Sequence, residues 1–284
     1  MGSRQPAPSA GWPELITAAA LCPWPPLLVR ELTGADPVVP ELREACAAAV
    51  AALLADGPGR VAVVAPGSST TTWPTDGRLN VAAFGGSPPS PVSDICRPET
   101  GDRVPDICRP ETGDRVSDIC SPAAGSGVKY ERPALPPAAG MGAYLLDQAA
   151  YRGPRVIWTV SDGETPAGCR KLGAELAAGG QRTALLVLGD GSARRGPKAP
   201  GAFDPRAAAF DAAVKRAVRD ADLDALLAVD PVLARELMAT GRPAWQVLAG
   251  ALAGTPVSTE IRYADDPFGV FYLVASLTRD GGRG

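Results

Sequence analysis

Residues 40–67, PELREACAAAVAALLADGPGRVAVVAPG, hold two hydrophobic patterns separated by one break. Leu42, Cys46, Val50, Leu53 and Leu54 recur at helical spacing, and Gly57-Pro58 stops the helix. RVAVVAPG then reads as a buried strand of β-branched and small residues. A helix feeding directly into such a strand is the repeating unit of an α/β sheet, and this stretch therefore sets the expected fold class.

The same rhythm extends in both directions. Upstream, an apolar strand over residues 15–21 leads into LCPWPPLL, where three prolines fix a turn around the indole of Trp24. Downstream come a helix (PPAAGMGAYLLDQAA), a strand (RVIWTVSDG), a helix (TPAGCRKLGAELAAGG) and a strand with a polar, Gly-rich end (RTALLVLGDGS). Turns at the carboxyl ends of such strands are where open α/β sheets build their sites. DPRAAAFDAAVKRAVRDAD follows, with Asp204 as N-cap, Pro205 at the first helical position, and Ala208, Phe210, Val214 and Val218 as its apolar residues. DLDALLAV and DPVLARELMATG are two shorter helices, the second closed by Gly241, and RPAWQVLAGALAG is another. PVSTEIRYADDPFGVFYLVASL reads as two strands joined at residues 264–267, an antiparallel hairpin closing the fold.

A 12-residue tandem repeat interrupts this order: SDICRPETGDRV (93–104), PDICRPETGDRV (105–116) and SDICSPAAGSGV (117–128). Its cysteines, Cys96, Cys108 and Cys120, stand a whole repeat apart, whereas structural zinc pairs thiolates about two to four residues apart. Each copy offers only Ile and Val for stacking, too little for a solenoid. Residues 86–132 are therefore expected to be a mobile insertion in a single α/β domain over 13–279, with residues 1–12 a polar, Pro-rich tail and 280–284 a Gly-rich one.

The 284 residues carry 28 Lys and Arg against 31 Asp and Glu, and no basic cluster alternates with aromatics, which argues against nucleic acid as a partner. No run of about 18 apolar residues offers a membrane span, and the N-terminus lacks the regions of a secretory signal. Cytoplasmic location and reduced thiols are the expectation. The chain contains no histidine, which removes imidazole as general base, triad member or metal ligand.

Candidate binding residues gather in three places. Asp190, Ser192, Arg194 and Arg195 stand on the expected site-forming turn, either as an anion pocket with Arg as bidentate donor or as a solvated loop, and Lys198 could line a wall beside them. Arg242 and Trp245 open a helix, either as ligand contacts or as a surface Arg and a core Trp; Glu236 is a carboxylate ligand or an exposed helical residue. Cys22 lies beside the Trp24 turn, where a reactive thiolate would need a cationic neighbour and a small buried apolar residue would not. No phosphate-loop or dinucleotide fingerprint occurs.

Taken in order, LCPWPPLLV, LVLGDGSARR, FDPRAAAFDAAV, MATGRPAWQVLAGAL and STEIRYADDPFGVFYLVASL resemble the class III extradiol ring-cleavage dioxygenases, the catalytic LigB-type subunit and its Memo relatives. The resemblance implies a central, mostly parallel sheet flanked by helices with a pocket at one end. It also implies Fe(II) held by two His and one carboxylate, with another His moving protons. In this chain the first ligand position matches Trp24, and an indole has no lone pair for iron. The base position matches Ala193, and the second ligand should come from GSSTTTWPTDG, which offers hydroxyls. The last ligand falls near Thr240, one helical turn after Glu236. The resemblance thus implies a LigB-like protein that has lost its iron site, with no catalytic residue, no metal ligand and no cofactor. Its partners would be a small aromatic or carboxylate ligand and a homodimeric or paralogous subunit. The alternative is a metal-dependent oxidoreductase with an atypical site of carboxylates and thiol, or one completed by a partner subunit.

Overall fold

The structure, a computed structural model, describes residues 16–33, 38–84 and 132–279. The two expected tails, and the repeat insertion apart from its last residue, lie outside the described residues.

The chain forms an α/β fold on a seven-stranded mixed sheet. Its elements in order are β1 (Ile16–Cys22), α1 (Arg30–Thr33), α2 (Pro40–Leu54), β2 (Arg60–Gly67), β3 (Thr71–Trp73), β4 (Arg78–Leu79), β5 (Ala134–Leu135), α3 (Pro137–Gln148), β6 (Arg155–Ser161), α4 (Pro166–Ala177), β7 (Thr183–Leu188), α5 (Arg206–Arg219), α6 (Leu223–Leu227), α7 (Pro231–Glu236), α8 (Arg242–Leu252), β8 (Val257–Asp265) and β9 (Tyr272–Arg279). The strand order is β3-β6-β2-β7-β1-β9-β8, and β4 pairs with β5 separately. The four central strands β6, β2, β7 and β1 run parallel. β3 pairs antiparallel with β6 at one edge, and β9 with β1 at the other, where β8 completes the hairpin.

Strand side chains alternate between two cores, as the pleat requires. Ala19 and Leu21 of β1, Ala62 and Val64 of β2, and Leu185 and Val187 of β7 face the side covered by α4, α5 and α8. Ala18, Ala20 and Cys22, Val61, Val63 and Ala65, and Ala184, Leu186 and Leu188 face α2 and α3. Helices on both faces explain why these strands read as unbroken apolar runs.

α4 and α8 pack closest, through glycine. A Cβ on Gly173 would run into the Val247 carbonyl oxygen and the Ala251 nitrogen, and one on Gly250 into the Arg170 carbonyl oxygen. The two backbones therefore touch where each helix has no side chain.

The sequence reading needs four adjustments. GSSTTTWPTDG includes β3, held by the Trp73 Nε1 hydrogen bond to Thr159 Oγ1 at 2.9 Å. DPVLARELMATG ends its helix at Glu236, short of Gly241, because Met238 takes a left-handed conformation (φ 57°) that a right-handed helix cannot continue. α5 starts at Arg206, whose N–H is still capped by Asp204 Oδ1 at 2.9 Å, and Ala207, not Ala208, lies on its buried stripe. The hairpin turn begins two residues later than expected and is longer, over 266–271, with Gly269 at φ 74°.

Gly173→Ala should lower unfolding stability by about 1–3 kcal/mol through overpacking, whereas Gly196→Ala, with nothing within 4 Å of the added carbon, should not. Urea unfolding of both variants checks this, and equal midpoints would show that the α4–α8 contact can open at no cost.

Candidate functional site

β1 and β7 end side by side, with Cys22 in register with Leu188. The Gly189 N–H donates to the Cys22 carbonyl at 3.0 Å and carries the pairing one residue further. Beyond this point β1 enters the proline turn and β7 enters the Gly-Asp-Gly-Ser loop. Pro23 and Pro25 lack N–H groups, so the Trp24 N–H is the one backbone donor within that triplet. It donates to Asp190 Oδ1 at 3.0 Å.

The start of α8 completes the cluster. The Trp24 indole Nε1 donates to Thr240 Oγ1 at 3.1 Å, the Asp190 N–H approaches the same hydroxyl at 3.4 Å, and the Gly241 N–H donates to the Asp190 carbonyl at 2.9 Å. Trp24 is half-buried and packs on the α2–α3 side, so the indole closes the strand ends without sinking fully into the core.

Burial dominates the electrostatics. The Asp190 carboxyl is partly accessible by residue but desolvated, and this pushes its pKa up to about 7, the Trp24 N–H pulling the other way. Tyr272 lies close enough for burial and the Asp190 charge to raise its phenol. On the α2 side, the thiols of Cys22 and Cys46 are hydrogen-bonded to each other, and that bond together with burial raises Cys46 well above the ordinary thiol range. Both cysteines are buried and free, as is Cys169. Cys22 is thus the small buried residue anticipated from its position, with a thiol as its neighbour.

The loop after β7 is not a solvated turn. Ser192 is fully buried, its Oγ donating to Asp211 Oδ2 at 2.5 Å and its N–H to Asp211 Oδ1 at 2.9 Å. Arg195 Nε lies 2.5 Å from Asp266 Oδ2 and 3.7 Å from Asp211 Oδ2, with its guanidinium 5.9 Å from the Phe271 ring centroid. Burial raises Asp211 to about 6 against the lowering effect of Ser192 and Arg195. This network fastens the loop to α5 and to the β8–β9 turn.

Other candidates fall elsewhere. Arg242 is 2% exposed, which corrects its reading as a surface residue. Its guanidinium donates to the carbonyls of Glu164 (2.6 Å) and Asp162 and to Gln246 Oε1 (3.1 Å), holding the β6–α4 loop on α8. Trp245 is core. Glu236 pairs with Arg206 at 2.8 Å on an exposed helix face, Lys198 is exposed, and Arg194 has a buried Nε with no hydrogen-bond partner among the described residues. The structure therefore brings Trp24, Asp190 and Thr240 together, with Cys22 behind them, and leaves Glu236 and Lys198 outside.

Asp211, Cys46, Tyr272 and Asp266 were not singled out as site residues from sequence. Asp211 did carry a signal: with Ala207, Phe210, Val214 and Val218 it stands on the buried stripe of α5, where a carboxylate needs a specific reason to be. Among the described residues no group of three or more Cys, Asp or Glu is arranged to hold a metal ion, and no helix is long and apolar enough to cross a membrane.

Neither a protein-family model nor a curated protein matches this chain. Among solved structures it is similar to the crystal structure of the uncharacterized protein JW3007 from Escherichia coli K12, with TM-score 0.51, 16% sequence identity, and coverage of 92% of this chain and 99% of that one. At that identity the likeness is one of fold alone.

Asp190 and Asp211 titrate near 7 and 6 when folded and near the ordinary Asp value of about 3.9 when unfolded. The native state binds these protons more tightly, so the stability they contribute is full below about pH 4 and is lost as pH rises through 6 and 7. The melting temperature should therefore fall between pH 5 and 8. Asp190→Asn, which keeps an oxygen for the Trp24 N–H, should flatten that slope and raise the melting temperature at pH 8; a slope unchanged by the substitution would refute the assignment.

Proposed function

We propose that this chain is a LigB-like homologue of the class III extradiol ring-cleavage dioxygenases that does without an Fe(II) centre and serves as a non-catalytic binding protein. The observation that carries this reading is the 3.1 Å hydrogen bond from Trp24 Nε1 to Thr240 Oγ1. By the resemblance the first metal-ligand position matches Trp24 and the last falls near Thr240, and here these two residues bond to each other. An indole N–H donates and cannot ligate, and the hydroxyl is engaged as its acceptor. Asp190, the nearest carboxyl, is turned to the Trp24 N–H. With no histidine in the chain, the two-His-one-carboxylate arrangement that leaves iron open to substrate and oxygen has no imidazoles to build from. A small aromatic or carboxylate ligand, or a homodimeric or paralogous subunit, is then what the inherited fold would bind, in the cytoplasm.

The deciding measurement is metal stoichiometry on protein stripped with chelator and reloaded anaerobically with Fe(II), Mn(II) and Zn(II), alongside oxygen uptake with catechols. The expected result is less than about a tenth of an equivalent of each metal, against the single equivalent of an intact non-heme site, and no catechol-dependent uptake. A stable equivalent lowered by Asp190→Ala, or uptake by the pure protein, would instead establish an oxidoreductase with an atypical carboxylate and thiol site.

A further inference from the structure

α2 and α3 lie on the same face of the sheet and leave a groove of about 380 Å³ between them. That volume is at the lower end of the roughly 300–1,000 Å³ typical of small-molecule clefts. Its walls are aliphatic: Val50, Ala51 and Leu54 from α2, Leu145 from α3, and Leu28 from the turn after β1, with Tyr144 as the one aromatic side chain.

One end of the groove is cationic. Arg30 and Arg43 line it there, and no carboxylate of the described residues pairs with either. Arg43 is held rigidly, its Nη2 donating to the Leu27 carbonyl and to Thr33 Oγ1, each at 2.6 Å. Its Nε is buried with no hydrogen-bond partner among the described residues. Glu31 receives the Tyr144 hydroxyl at 3.4 Å and does not line the groove. A guanidinium fixed by neutral oxygens, with no carboxylate partner among the described residues, is an unfavourable arrangement at the mouth of an apolar cleft, and an anion relieves it.

The geometry points to a second binding site, for an aliphatic monocarboxylate of medium chain length. The chain lies along α2 and α3, and the carboxylate meets Arg43 and Arg30. The scarcity of aromatic lining and the small volume select a flexible chain of about ten to twelve carbons over a fused ring system. This site lies on the outer side of the Cys22–Cys46 pair and does not depend on how the strand-end cluster is read.

Isothermal titration of the full chain with dodecanoate tests it. The expected result is saturable one-to-one binding with Kd of about 100 μM or tighter. Ala51→Trp, which fills the groove from an exposed helical position, should weaken binding at least tenfold. Arg43→Gln should weaken dodecanoate at least tenfold while changing the binding of dodecanol little. Dodecanol binding the native protein as tightly as dodecanoate would overturn the proposal. So would binding unaffected by Ala51→Trp, or no saturable binding, which would leave the groove to another part of this chain or to a protein partner.

Discussion

Asp190 is where the architecture converges. Its carboxyl takes the Trp24 N–H, its carbonyl takes the Gly241 N–H, and its own N–H meets the Thr240 hydroxyl, so one residue ties the ends of β1 and β7 to the start of α8. Parallel strands covered on both faces leave their polar backbone exposed mainly at their ends. Something has to satisfy those groups without readmitting bulk water. Asp190 does so with a carboxyl whose ionisation is displaced toward neutrality by the same burial. A strand end closed by a near-neutral acid and an indole is a different chemical object from one lined with imidazoles, although the chain path can be the same.

From that point the molecule divides into two faces of unlike character. On one, α4 and α8 meet through glycines, and a salt-linked network of buried Ser192 and Asp211 with half-buried Arg195 and Asp266 fastens the loop after β7. On the other, α2 and α3 stand apart over Cys22 and Cys46, and the gap between them is the groove. Close packing resists change because each added atom displaces backbone. The open side has slack, and a ligand can use slack.

Much of the fold could be read from the residues. Unbroken apolar runs marked the central strands and helical patterns the long helices, and the Asp-Pro pair at 230–231 marked the start of α7, where Asp230 caps the Val232 N–H at 2.8 Å. Short elements escaped: β3 has three residues, too few for alternation to register, and its identity as a strand comes from pairing with β6. The end of α7 was misjudged because Met238 adopts a left-handed conformation that no local residue signal announces. Arg242 read as a surface residue, since nothing along the chain reveals that two carbonyls of the β6–α4 loop, nearly eighty residues earlier, would surround it.

The sequence by itself determined the α/β class, the proline turn that lifts Trp24 out of β1, and the absence of any imidazole. These are properties of spacing and residue type, and folding cannot alter them. Only the tertiary structure decided that Trp24 and Thr240, 216 residues apart, bond to each other, that Asp190 loses its water, and that Asp211 answers Ser192. Hydrogen-bond partners and desolvation depend on which distant segments arrive at the same strand end, and that is settled by packing the whole sheet between its helices.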